Sequence, residues 1–183
     1  ISDEIYHGIV YDGQTATAAA LSDSAIVINS FSKYFSMTGW RVGWMILPTD
    51  MLRAVECLSQ NMFISTTTLS QHAALAAFEC REELDGHVRR YRANRDLLLQ
   101  GLPKAGFDRL TAANGAFYIY ADVAHLTNDS ADFCRRMLVE AGVACTPGLD
   151  FDTARGHGTL RISFAGSTEE MAEAVRRLSA WRR

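Results

Sequence analysis

The chain has no apolar run approaching the roughly 18 residues of a membrane-spanning helix. Its first residues carry Asp3 and Glu4 where a secretory signal would be basic, so a soluble, cytoplasmic protein is expected and a membrane partner is not. Positive charge is not in surplus either. A formal net charge of -3 and a pI near 5.9 give no broad basic surface for nucleic acid or anionic lipid. Cys57, Cys80, Cys134 and Cys145 contain no Cys-x-x-Cys spacing, and a chain of this size needs no disulfide framework, so buried free thiols are expected. His7, His72, His87, His125 and His157 form no ligand pair of the His-Glu-x-x-His kind, which leaves metal catalysis without support. Internal repeats and low-complexity segments are absent.

What is present is a globular composition. The 183 residues are 48% hydrophobic and 21% charged, enough to bury an ordinary core in one or two domains. The opening Ile1-Ser2-Asp3-Glu4-Ile5-Tyr6 reads as the end of a strand with nothing before it, so the chain is expected to begin in mid-domain.

Ala25 to Asn29 and Val42 to Leu47 are short apolar runs bounded by polar or turn residues, the pattern of strands in one sheet buried on both faces. Pro48-Thr49-Asp50 ends the second run, with Asp50 as N-cap of a helix from Met51. From Leu69 to Leu102 no proline intervenes, and Leu69, Ala73, Ala76, Ala77, Cys80, Leu84, Val88, Tyr91, Leu98 and Leu102 recur at helical steps. One long amphipathic helix over 69–102 is expected, its arginines forming a solvated face. Beyond Pro103 and Gly106 the pattern predicts a strand over 116–121 and a helix over about 130–142. Strands over 143–146 and 159–164 follow, then a closing helix capped at Ser167 or Thr168 that runs to about Trp181. The fold class is α/β: part of one domain over 1–82 and a smaller α/β domain over 83–183, joined by the long helix.

The chemistry concentrates where strands end. Lys33 sits in Asn29-Ser30-Phe31-Ser32-Lys33 after an apolar strand, eight residues before Arg41 in Thr38-Gly39-Trp40-Arg41-Val42-Gly43-Trp44. A lysine amine at a strand end can condense with an aldehyde, while a serine hydroxyl and an arginine guanidinium can hold a phosphate. Open α/β sheets bind ligands beyond the carboxyl ends of their strands, and Asp3, Ser30 and Lys33 all fall there. Asp3 and Tyr6, three apart, would face opposite sides of an uninterrupted strand, so both serve one site only if the chain turns between them. Arg161, between Leu160 and Ile162 on an apolar strand, is conspicuous in its own right.

Asp3-Glu4-Ile5-Tyr6, Ser30-Phe31-Ser32-Lys33, Thr38-Gly39-Trp40-Arg41-Val42-Gly43 and Leu160-Arg161-Ile162-Ser163-Phe164-Ala165 resemble, in that order, motifs of the class I and II aminotransferases of pyridoxal-phosphate fold type I. The resemblance runs through the whole chain but covers only about the carboxyl-terminal half of a typical member. It implies a three-layer α/β/α large domain, partial here, followed by a small carboxyl-terminal domain.

It also implies roles. Lys33 would link covalently to the aldehyde of pyridoxal 5'-phosphate and, once freed, act as general base. Asp3 would pair with the pyridine nitrogen, and Tyr6 would donate to the phenolic oxygen. Ser30 and Arg41, with Ser32 as a third, would bind the phosphate, and Gly39 and Gly43 would allow close backbone approach. Arg161 would clamp the substrate α-carboxylate. Phe117 or Tyr118 would line the pocket, with core packing the alternative, and Ser65 to Thr68 with Gln71 would reach a neighbouring subunit's phosphate.

The implied activity is ping-pong transfer of an amino group between an amino acid and a 2-oxo acid, by a homodimer when intact. Two other readings share these residues: an aminotransferase-like effector domain of a transcription regulator, and another fold-type-I chemistry such as β-elimination. Ser30-x-x-Lys33 also matches the serine penicillin-recognising pattern, but no Ser-Asp-Asn or Lys-Thr-Gly partner is present. The family's helix-terminal phosphate loop, its ring-stacking aromatic and an asparagine that assists the tyrosine would lie upstream of Ile1. By itself the chain is expected to be an incomplete enzyme.

Overall fold

A computed structural model describes residues 1–181. The chain divides into two compact units, Ile1–Val88 and the residues from Arg89 onward.

The first unit is built on a three-stranded sheet in the order β1 (Ser2–Asp3), β2 (Val27–Ser30), β3 (Gly43–Ile46). β1 runs parallel to β2, with Ser2 opposite Val27 and Asp3 opposite Ile28, so Asp3 and Ser30 end at the same edge. β3 pairs antiparallel with β2, which sets Ser30 opposite Gly43. A Cβ at Gly43 would stand 2.8 Å from the Asn29 carbonyl oxygen, which excludes larger residues from that pairing. The apolar runs do pair in one sheet, but they are not buried on both faces: Trp44, Met45 and Ile46 are all exposed among the described residues. β3 has a single described strand neighbour, and an apolar sequence cannot report what covers it.

Three helices follow: α1 (Leu52–Met62), α2 (Thr68–Ala77) and α3 (Arg81–Gly101). Asp50 is not the N-cap of α1; it lies in a 3-10 turn over Thr49–Met51 that leads into the helix. Nor is 69–102 one helix. At Phe78 to Cys80 the backbone tightens into i to i−3 bonds, Glu79 N–H to Ala76 O and Cys80 N–H to Ala77 O. The Phe78 ring packs edge-on against Phe31 and Phe35, at 5.5 and 5.4 Å between centres. The break thus arises from tertiary packing, and neither proline nor glycine marks it in the sequence. Phe31, Met37 and Ala74 form the buried centre of this unit, flanked by Phe35, Val42, Ala73 and Ala77.

The second unit carries an antiparallel sheet in the order β4 (Arg109–Leu110), β5 (Tyr118–Asp122), β7 (Thr159–Ser163), β6 (Thr146–Pro147), with α4 (Ser130–Arg136) and α5 (Thr168–Ala180). β5 begins two residues later than the pattern predicts because Ala116 has a φ of +56°, outside the strand region. The expected 130–142 helix is α4 plus a wider π turn over Met137–Ala141, stopped at left-handed Gly142. Ser167 and Glu170 form the capping box of α5.

Residues alternate along β5 and β7. Ile119, Ala121, Leu160 and Ile162 are buried with Leu98, Leu102, Phe107, Phe133, Met137 and Leu178, while Tyr118, Tyr120 and Arg161 share the other face. The thiols differ in burial: Cys134 is buried, Cys57 and Cys145 are intermediate, and Cys80, in the helix break, is exposed. Burial pushes the Cys134 thiol up to about 11 and that of Cys145 up to about 12, which makes both poor nucleophiles. No described helix is long and apolar enough to cross a membrane.

Candidate active site

Parallel pairing of β1 and β2 delivers their carboxyl ends side by side, and the chain turns sharply after each. After β1, Asp3 Oδ1 accepts from Ile5 N–H at 3.2 Å. His7 N–H then donates to Glu4 O and Ile9 N–H to Tyr6 O, which provides the turn needed between Asp3 and Tyr6. Buried Glu4 underpins it: its Oε1 accepts from Ala18 N–H at 2.8 Å and from Ser2 Oγ at 3.1 Å. The Ala18 bond is the main reason its carboxyl lies below the usual range.

After β2, Asn29 Oδ1 accepts from Ser30 N–H at 2.8 Å, and Ser30 Oγ accepts from Ser32 N–H at 3.1 Å. These short-range bonds coil the backbone into the turn that presents Lys33. The loop closes on itself through Phe31 N–H to Val42 O, Met37 N–H to Phe31 O, and Thr38 Oγ1 to Ser32 O at 2.7 Å. Buried Phe31 and Met37 pin it to α2.

Asp3, Ser30, Ser32, Lys33 and Arg41 line one open cleft of ≈ 630 Å³, together with Asn29, Thr38, Gly43, Trp44 and Met45. Tyr6 stands beside it, its ring centre 5.7 Å from Lys33 Nζ. Arg41 occupies the left-handed region at φ +55°, a strained setting for a non-glycine residue. Its Nη1 donates to Thr38 O at 2.9 Å, which fixes the guanidinium at the cleft. A Cβ at Gly43 would meet the Asn29 carbonyl oxygen at 2.8 Å, while one at Gly39 would meet nothing of this chain within 4 Å.

An amine, hydroxyls, a guanidinium and a carboxylate in one cleft lining suit a phosphorylated, basic heteroaromatic aldehyde. Ser65, Thr66 and Gln71 line a second hollow that shares Val42 and Gly43 with this region, and Gln71 Nε2 donates to Thr66 O at 2.7 Å.

Arg161 belongs to the second unit. Its guanidinium carbon lies 4.1 Å from the Tyr118 ring centre and 4.4 Å from that of Phe151, so aromatic rings cover it. Its Nε is buried without a hydrogen-bond partner among the described residues, which leaves that donor unspent. Of the expected pair, Tyr118 lies against the Arg161 guanidinium, whereas Phe117 packs against Tyr91 and Tyr118. Phe151 had no local sequence signal, being a lone aromatic in a polar loop. Asn29 and Thr38 also line the cleft, and of the two only Asn29 carries a local signal, an Asn-Ser pair at a strand end.

A family model described as aminotransferase class I and II matches residues 1–178. Valine–pyruvate aminotransferase of Mycobacterium tuberculosis is 53% identical over 185 residues, covering 99% of this chain and 48% of that protein. Aspartate/prephenate aminotransferase of Thermus thermophilus is 35% identical over 184 residues, covering 98% and 46%. Among solved structures, an aminotransferase from Mycobacterium tuberculosis superposes with a TM-score of 0.95 at 53% identity, over 98% of this chain and 48% of that one. A Thermus thermophilus aspartate aminotransferase double mutant gives 0.85 at 34%, over 98% and 47%. The chain spans about half the length of the relatives it matches.

Proposed function

The chain belongs to the class I and II aminotransferase family, and from that premise we propose that the intact protein is a pyridoxal 5'-phosphate-dependent aminotransferase. It moves an amino group between an amino acid and a 2-oxo acid by a ping-pong cycle. The observation that carries this reading is the single cleft lined by Lys33, Ser30, Arg41 and Asp3. The family match and the names of the relatives support transamination over a regulator domain or a lyase.

When bound, the cofactor supplies an electrophilic aldehyde and a ring that accepts electron density. The residues divide the remaining work. Ser30, Ser32 and Arg41 hold the phosphate, Arg41 as a rigid fork of donors. Asp3 keeps a proton on the ring nitrogen by offering an adjacent negative charge, and Tyr6 donates to the phenolic oxygen. The Lys33 amine would hold the cofactor at its aldehyde end and, as a general base, would take a proton from the substrate α-carbon. Arg161 fixes the α-carboxylate, and with it the direction of the α C–H bond.

In this reading residues 1–82 are the carboxyl-terminal part of the cofactor-binding large domain and residues 83–183 the small domain, with α3 running from one to the other. The intact protein is a cytoplasmic homodimer in which Ser65 to Thr68 and Gln71 serve the partner's phosphate. The hollow that joins Ser65, Thr66 and Gln71 to Gly43 supports that placement.

Valine with pyruvate is the first substrate pair to test, given the name of the 53% identical relative. Purified intact protein should convert valine to its 2-oxo acid with matching formation of alanine. Release of ammonia without an amino product, or no turnover with any donor and acceptor pair, would overturn the reading.

A further inference from the structure

Tyr34, directly after Lys33, faces away from the cleft and is held at two points. Its hydroxyl donates to Asp85 Oδ1 on α3 at 2.6 Å. Its ring lies against Gly8, where a Cβ would stand 2.6 Å from Tyr34 Cγ. Gly8 is two residues beyond Tyr6, in the turn that follows β1, so one side chain touches both turns that meet at Lys33.

The residues after it repeat the attachment. Phe35 packs against Phe31 and Phe78 at 4.6 and 5.4 Å between ring centres, and Ser36 Oγ lies 3.1 Å from His87 Nδ1 on the same helix. Tyr34 and Asp85 are both half-buried, where a hydrogen bond to an ionised acceptor is stronger than one in water. Burial, followed by the bond to Asp85, raises the phenol above its ordinary range, so Tyr34 remains the donor at neutral pH.

Among the described residues, the Lys33 amine has no such hydrogen bond. It has the Tyr6 ring 5.7 Å away, and an amine that must meet one carbon of a held ligand needs a backbone fixed within a fraction of an ångström. We infer that Asp85 is a positioning residue for Lys33: by anchoring the Tyr34 hydroxyl it locks the lysine loop to α3 and to the Tyr6 turn, and so sets the angle at which the amine enters the cleft. This rests on the transaminase reading only in assigning Lys33 to a cofactor.

The test uses the intact protein with Asp85→Ala, Asp85→Asn and Tyr34→Phe. Two readouts are taken: amide hydrogen exchange of the 32–37 segment without cofactor, and visible circular dichroism per mole of bound cofactor. Asp85→Ala and Tyr34→Phe should each speed exchange in that segment by about tenfold, as loss of a charge-assisted bond implies. Both should also lose cofactor dichroism. Asp85→Asn, which keeps an acceptor, should restore most of both signals, and the Asp85→Ala, Tyr34→Phe double variant should be no worse than either single one.

Unchanged exchange overturns the inference. So does faster exchange with wild-type dichroism, because the bond would then serve stability alone. A wild-type protein with no cofactor band would overturn the transaminase reading, and the role of Asp85 with it, whatever the exchange arm showed.

Discussion

Lys33 and Tyr6 come from turns that follow two different strands, yet Lys33 Nζ stands 5.7 Å from the centre of the Tyr6 ring. The approach follows from parallel pairing of β1 and β2, which ends both strands at one edge, and from the glutamate- and asparagine-anchored turns beyond. Convergence is thus a property of backbone hydrogen bonding, and the side chains inherit it. Four consequences can be measured in the intact protein.

Arg161→Ala should weaken amino-acid binding far more than cofactor binding. Loss of a bidentate partner for a buried carboxylate costs about 2–4 kcal/mol, or roughly 30- to 1000-fold in apparent affinity. Titrations with substrate and with cofactor check this, and equal losses in both would point to a structural arginine.

Phe151→Leu should act in the same direction but less strongly. The ring lies 4.4 Å from the Arg161 guanidinium carbon while half of its surface stays open, so the stack is worth about 1 kcal/mol, or roughly fivefold in substrate affinity. Phe151→Tyr should retain wild-type affinity.

Asn94→Ala should destabilise the fold without touching the cleft. Asn94 is fully buried; its Nδ2 donates to Phe164 O and Gly166 O, both at 3.0 Å, and its Oδ1 accepts from Thr168 Oγ1 at 2.8 Å. Removing it leaves carbonyls just beyond β7 without their donor, at a cost of about 2–4 kcal/mol in denaturant unfolding.

Glu4→Gln should flatten the acid limb of stability. The Glu4 carboxyl lies below its ordinary range through the Ala18 amide bond, so its contribution is full above the unfolded value of about 4.3. That contribution fades as pH falls through the lower folded value. Thermal melts across the acid range should show wild type losing stability faster than the variant.

How far the sequence revealed this depends on the range of the interactions involved. The cleft was legible because Asp3, Ser30 and Lys33 fall at strand ends, with Arg41 eight residues after the lysine, whereas no local pattern set Arg161 beside Tyr118 and Phe151. The helix break at Phe78 was not, since rings brought together from Phe31 and Phe35 cause it rather than any local breaker. Tyr34 and Asp85 are 51 residues apart, and no local pattern couples them. Exposure of Met45 and Ile46 was hidden for the opposite reason: apolar residues look alike in sequence whether covered or open.

The central claim is that Lys33 carries the cofactor, and the chain offers one internal control, since its other lysine is Lys104. Borohydride reduction of the intact protein loaded with pyridoxal 5'-phosphate, followed by peptide mapping, should place the reduced cofactor on the peptide that contains Lys33. Label on the Lys104 peptide, or on no lysine of this chain, would contradict it.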